Sequence, residues 1–300
     1  MLKKLKIPVI FAIIVIFLYF IGIMRQNSKS GKSRKKLEIV NVSYDPTREL
    51  YEKYNKLFME YYRQKYGQDV KISQSHGGSG SQARSVIEGL DADVVTLALE
   101  NDVALLEKVD LLEKGWVNQF PGSSSPYTST IVFLVRKGNP KNIKDWNSLT
   151  EKGIKVITPD PKSSGGACWN FLAAWSYGRE KFGNDEHKIQ NFVKNIYDNV
   201  AVMDSGARAA TTTFVENNQG DVLIAWENEA IATIREYPEK YEIVYPSVSI
   251  LAQPTVAVVD KVAKSNGTYQ ISTEYLKYLY SEKAQEIIAE SGYRPYNQKI

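Results

Sequence analysis

Val156-Ile157-Thr158-Pro159-Asp160-Pro161-Lys162-Ser163-Ser164-Gly165-Gly166, followed by the apolar-rich stretch Ala167 to Phe182, reads as a short buried strand, a turn of small residues and a helix. Small residues let the backbone curl so that several peptide N–H groups point into one hollow. At a helix start those groups have no carbonyl partner in their own helix. Together with the positive end of the helix dipole they make a site for an anion that needs no Lys or Arg. The same device recurs at His76-Gly77-Gly78-Ser79-Gly80-Ser81 and at Asp204-Ser205-Gly206-Ala207. Three such turns in one chain suggest that an anion is being surrounded.

The surrounding sequence repeats the strand–turn–helix rhythm. Leu37 to Ser43 reads as a buried strand ending at Tyr44-Asp45-Pro46, where Asp45 as N-cap and Pro46 at the first helical position predict a helix start. The helix that follows, to residue 66, places Leu50, Tyr51, Tyr54, Leu57, Phe58, Tyr61 and Tyr62 at three- and four-residue spacing, and Gly67 closes it. A strand at about Val70 to Ser73 runs into the 76–81 turn and a helix to about Leu90; Asp93 to Ala98 is another buried strand. Further units are Ala201-Val202 with a helix over 205–217, and the strand Asp221 to Trp226. This alternation predicts an α/β fold with largely parallel sheet. Two strands stand apart, Thr128 to Val135 and Pro254 to Val259. The chain is expected to cross there between two lobes, 37–130 with 255–300 forming the first and 131–254 the second. In such sheets ligands bind beyond the carboxyl ends of the strands, and each special turn sits at such an end.

Composition narrows the function. The chain has 300 residues, 43% of them hydrophobic, which is enough to bury a sizeable core. Its formal charge of +4 misleads, because nine basic residues and no acid lie in residues 1–36; setting those nine aside leaves −5. A globular part with that balance does not suit nucleic acid. Residues 1–36 read as a basic n-region to Lys6, an uncharged run from Ile7 through Met24, and a basic cluster from Arg25 to Lys36. That pattern sends the chain into export, with the domain either released or held by an uncleaved anchor through 7–24. The single cysteine, Cys168, excludes an internal disulfide, and with only His76 and His187 beside it no Cys/His metal site can form.

Enzyme motifs fail on the same residues. Gly78-x-Gly80-x-x-Ala83 resembles a dinucleotide fingerprint but does not follow the first strand, and it lacks the lysine of a P-loop. Gly77-x-Ser79-x-Ser81 misses the last glycine of a nucleophile elbow. Glu227 and Glu229 offer two carboxylates, whose simpler role is to complement the dipole in the first turn of a helix. No cofactor is implied.

Long stretches of the chain resemble the extracytoplasmic sulfate-binding proteins of ABC transporters, whose thiosulfate-binding members share them closely. These are Asn41 to Tyr51, Ser75-His-Gly-Gly-Ser-Gly80, Ala92 to Ala98, Pro126 to Pro140, Thr158 to Ala167, Asp204-Ser-Gly-Ala-Arg208 and Asp221 to Ala230. The resemblance covers essentially all of 37–296. It implies the two-lobe periplasmic-binding-protein fold of type II, with the ligand in the cleft between lobes. It also implies a monomer that hands sulfate or thiosulfate to a membrane permease. Residue by residue, it implies sulfate held by the backbone N–H of Asp45, the hydroxyl of Ser79, Ser164 with Gly165 and Gly166, the backbone N–H of Ala207 and the indole N–H of Trp226. Two departures stand out. Cys168 occupies a position where the resemblance implies arginine, and the sequence stops at Ile300 where members continue with a further helical segment.

The chemistry is coherent in itself. Sulfate carries no proton at neutral pH and only accepts hydrogen bonds, so a wall of donors suits it. Hydrogen phosphate must place a proton against that wall at a cost of about 1–3 kcal/mol; the matched positions offer it no carboxylate acceptor. Phosphate and molybdate remain the rival ligands, and an exported hydrolase or an NAD-linked enzyme using the 76–83 turn is the rival of a different class.

Overall fold

The computed structural model describes residues 37–300, and the expected leader or anchor of residues 1–36 lies outside them. In chain order the elements begin with β1 (Leu37–Tyr44), α1 (Arg48–Tyr66), β2 (Val70–Gly77), α2 (Ser79–Ile87), β3 (Val94–Leu97) and α3 (Glu100–Glu107). Next come β4 (Tyr127–Thr128), β5 (Ile131–Arg136), β6 (Val156–Pro159), α4 (Gly165–Phe182), α5 (Glu186–Asp198) and β7 (Val200–Asp204). They are followed by α6 (Ala207–Val215), β8 (Val222–Trp226), α7 (Glu227–Glu236) and β9 (Tyr241–Val244). The last are β10 (Thr255–Val258), α8 (Asp260–Asn266), α9 (Tyr269–Tyr278), α10 (Glu282–Glu290) and β11 (Arg294–Pro295). Among the described residues no helix is long and apolar enough to cross a membrane.

Two main sheets form. The first has the order β10-β3-β1-β2 and the second β7-β6-β8-β5-β9. In the first, β1 runs parallel to β2 and β3 while β10 is antiparallel to β3. In the second, β6 runs parallel to β7 and β8 while β5 is antiparallel to β8 and β9. The two strands that broke the sequence rhythm are thus the ones reversed in direction. Both sheets are covered on both faces, which explains why their strands read as unbroken apolar runs. Along β5, Ile131, Phe133 and Val135 enter one core while Val132 and Leu134 enter another, and β8 divides in the same way at Val222, Ile224 and Trp226 against Leu223 and Ala225.

Two sequence expectations are corrected. Asp45 does not cap the first helix: Asp45–Thr47 form a 3-10 turn whose N-cap is Tyr44, and α1 starts at Arg48. The Thr47 hydroxyl satisfies this corner by donating to the Tyr44 carbonyl at 2.6 Å, and the Asp45 carboxylate faces Arg48 at 3.7 Å. The strand expected over 128–135 is broken after Thr128. Ser129 bridges to Ala252, and the Thr130 hydroxyl and Ile131 N–H both turn to Ser249 Oγ, so the β5 ladder starts at Ile131.

The returning segment is locked to the first sheet by a buried polar knot. Tyr275 on α9 donates its hydroxyl to Asn55 Oδ1 at 2.6 Å and accepts from Asn41 Nδ2 at 3.3 Å, while the Tyr54 hydroxyl donates to the Tyr275 carbonyl. Tyr275→Phe leaves buried Asn55 without its donor and is expected to cost about 1–3 kcal/mol. A urea titration should show a lower midpoint with an unchanged slope.

Candidate anion-binding site

The parallel pairing brings the carboxyl ends of the strands to common edges. Tyr44 at the end of β1 pairs with Gly77 at the end of β2, and Pro159 at the end of β6 pairs with Asp204 at the end of β7. From these edges start α2, α4 and α6, whose first residues are Ser79, Gly165 and Ala207. Ser164 caps α4: its hydroxyl oxygen accepts from the Ala167 N–H at 3.3 Å, which leaves its own O–H free to donate elsewhere. Gly165, Gly166 and Ala207 present the N–H groups of their first helical turns.

Close approaches tie all seven predicted residues together. A Cβ on Gly165 would lie 2.7 Å from Ser79 Cβ and 2.9 Å from Ala98 Cβ. One on Gly166 would lie 3.2 Å from Trp226 Nε1, 3.5 Å from Ser164 Oγ and 3.8 Å from Ala207 Cβ. Gly206, which precedes Ala207, comes just as near to Asp45, with its notional Cβ 3.0 Å from Oδ2. Gly78 meets the backbone of Ser163, where the notional Cβ would sit 2.4 Å from the carbonyl oxygen. The contacts of Gly165, Gly206 and Gly78 join elements of the first sheet to elements of the second, while those of Gly166 lie among elements of the second. Further bonds cross the same divide: Trp169 Nε1 donates to the Ala98 carbonyl at 2.8 Å, and Arg208 pairs with Glu49. Ser79, Ser164, Ala207 and Trp226 are buried, and the Trp226 ring packs 5.6 Å from that of Tyr44.

Two of the donors have protein acceptors in this arrangement. The Trp226 indole N–H donates to the Gly166 carbonyl at 3.1 Å. The Ser79 hydroxyl donates to Asp102 Oδ2 at 2.5 Å and accepts from the Ala98 N–H at 3.1 Å. The sequence reading missed Asp102, a carboxylate outside the seven matched positions that bonds to one of the donors. As an acid in the first turn of α3, Asp102 looks like a dipole-complementing residue. Burial raises its pKa, opposed by the Ser79 bond and the Arg84 charge. Cys168 donates its thiol to the Pro161 carbonyl at 3.1 Å, and burial, then the charges of Asp102 and Asp160, push its pKa up.

The rival motifs find little support. His76 Nδ1 lies 3.4 Å from the Tyr44 carbonyl oxygen, and the two partners of Ser79 Oγ are Asp102 and Ala98. Glu227 accepts two bonds from Arg294, at 2.7 and 3.0 Å. Burial pushes the pKa of Glu229 up to about 7, against the lowering effect of Arg208. Glu229 lines a cavity of about 480 Å³ with Glu49, Arg208, Thr211 and Tyr293. Among the described residues no group of three His, Cys, Asp or Glu is placed to hold a metal.

Comparison with known proteins identifies the family and the fold. The family model for bacterial extracellular solute-binding proteins matches residues 43–294. The sulfate-binding protein of Escherichia coli K12 is 58% identical over 267 residues, which span 89% of this chain and 81% of that one. The thiosulfate-binding protein of Pseudomonas aeruginosa is 46% identical, covering 90% of this chain and 82% of its own. The solved structure of the sulfate-binding protein SubI from Mycobacterium tuberculosis H37Rv superposes with a TM-score of 0.76 at 32% identity, covering 88% of each chain. The two α/β sheets with helix N-termini facing each other are the two-lobe architecture of such proteins, and the chain belongs to the bacterial extracellular solute-binding protein family as a homologue of its sulfate- and thiosulfate-binding members.

Proposed function

We propose that the protein captures sulfate, or thiosulfate through the same oxygens, between lobes 37–130 with 255–300 and 131–254, and delivers it outside the cytoplasm to an ABC permease. The observation that carries the reading is the convergence of three helix starts with Ser79, Ser164, Trp226 and the Asp45 corner, with uncharged groups as the donors. Desolvating a dianion is costly, and charge-assisted hydrogen bonds return roughly 1.5–3 kcal/mol net each. Seven of them can leave the ~8 kcal/mol that micromolar binding requires. Excluding water by lobe closure strengthens each one. The relatives' names as binding proteins support capture rather than turnover.

The test is calorimetric titration of the purified protein with sulfate, competed by phosphate and thiosulfate. Micromolar or tighter sulfate binding that phosphate does not displace is expected. Ser164→Ala should weaken it at least tenfold, about 1.4 kcal/mol, while the lost cap costs about 0.5–2 kcal/mol of stability. Unchanged sulfate affinity in that variant would remove Ser164 from the site.

A further inference from the structure

Ser79 cannot serve two acceptors with one proton. Its hydroxyl has one hydrogen and two lone pairs. The hydrogen goes to Asp102 Oδ2 at 2.5 Å, and one lone pair is taken by the Ala98 N–H at 3.1 Å. While Asp102 is ionised, Ser79 therefore has nothing to give a bound anion, and a negative charge stands directly behind it. Protonation reverses both. A neutral Asp102 donates its own O–H to the second lone pair of Ser79 Oγ, and the serine hydrogen is released toward the anion. Resting on the sulfate-receptor reading of this site, we propose that Asp102 takes up one proton from solvent each time the site takes an anion, so that Asp102 and Ser79 act as a relay that couples loading to pH.

The surroundings of Asp102 favour this exchange. From α2 it faces Ser79 and Arg84, whose guanidinium shares with the Asp102 carboxylate the space over Gly80, each 3.6 Å from a notional Cβ there. Arg84 is exposed and donates to Ser81 Oγ at 3.2 Å, so its charge is largely screened. From α4 it faces Cys168, a thiol that burial keeps protonated and therefore neutral. The strands β3 and β10, packed against α3, carry no titratable side chain. On α3 itself the other carboxylates are Glu100 and Glu107, and Glu107 accepts from Trp116 Nε1 at 2.8 Å. Burial already lifts the Asp102 pKa, and an arriving dianion lifts it further, since a like charge disfavours the ionised form. The sign follows by linkage: the loaded state binds more protons than the empty one, so affinity rises as pH falls.

Asp102 is a positioning residue, and its test is proton counting. Sulfate titrations of the unmodified protein at pH 8, 7, 6 and 5, each in two buffers of different ionisation enthalpy, should show proton uptake approaching one per sulfate. The dissociation constant should tighten by up to about tenfold per pH unit above the free-state pKa and level off below it. Asp102→Asn, whose amide N–H can donate to Ser79 as the neutral acid does, should bind as tightly at pH 8 as the unmodified protein does at pH 5, with no proton uptake. Equal affinity at all pH values with no uptake would overturn the relay and leave the receptor reading standing. Tenfold weaker binding by Asp102→Asn at every pH would likewise overturn the relay. Absence of sulfate binding by the unmodified protein at every pH would overturn both.

Discussion

Gly165→Ala is expected to weaken sulfate binding about a hundredfold or more while leaving the fold intact. The new methyl would sit 2.7 Å from Ser79 Cβ and 2.9 Å from Ala98 Cβ, where carbon atoms normally approach to about 3.5–4.0 Å. Neither neighbour has a long side chain that can swing aside. Relief has to come from moving the start of α4 away from α2 and the end of β3, roughly an ångström across the divide between the two sheets. A hydrogen bond of 2.9 Å does not survive that stretch, so the donors on one side of the anion lose it while those on the other keep it. Losing two charge-assisted bonds costs about 3–6 kcal/mol. Stability should move the other way or not at all, because Gly165 has ordinary negative φ and alanine is the better helix former by about 1 kcal/mol. Calorimetry alongside thermal melting separates the two effects. An alanine variant that binds sulfate with unaltered affinity would mean that the lobes meet elsewhere when the anion is held.

Much of this was legible beforehand, for identifiable reasons. Strands buried on both faces announce themselves as apolar runs, and Ser-Ser-Gly-Gly followed by an apolar stretch is a helix start whatever surrounds it. The antiparallel strands at 131–136 and 255–258 could be singled out because the turn Lys137-Gly138-Asn139-Pro140 follows the first and a loop precedes the second. What escaped was decided by how particular side chains find their partners. Asp45 followed by Pro reads as a cap, yet Asp45–Thr47 form a 3-10 turn ahead of the helix, with the Thr47 hydroxyl donating to the Tyr44 carbonyl. Asp102 lies 23 residues from Ser79, and only the packing of α3 against α2 reveals that they share a proton. Cys168 was conspicuous in the sequence by the missing arginine; its consequence, a neutral group facing Asp102, needed the fold.

Trp226 carries the other large effect, and two substitutions separate its roles. The side chain is 1% exposed and packs against Tyr44, so Trp226→Ala removes a buried ring at the junction of β8 and α7. Such a cavity costs about 3–5 kcal/mol, and binding should vanish with the local packing. Trp226→Phe keeps most of the ring and deletes the indole N–H. That N–H now rests on the Gly166 carbonyl at 3.1 Å, and Gly166 lies in the first turn of α4. The carbonyl already accepts from the N–H four residues on, as any helical carbonyl does. The indole is thus a second donor on an oxygen that does not depend on it, and turning it to a ligand oxygen costs little while supplying a charge-assisted bond. The phenylalanine variant should therefore melt within a few degrees of the unmodified protein and bind sulfate at least tenfold more weakly, a change of about 1.4 kcal/mol or more. If it binds sulfate as well as the unmodified protein does, the indole serves only to pin the start of α4, and the donor set around the anion closes without it.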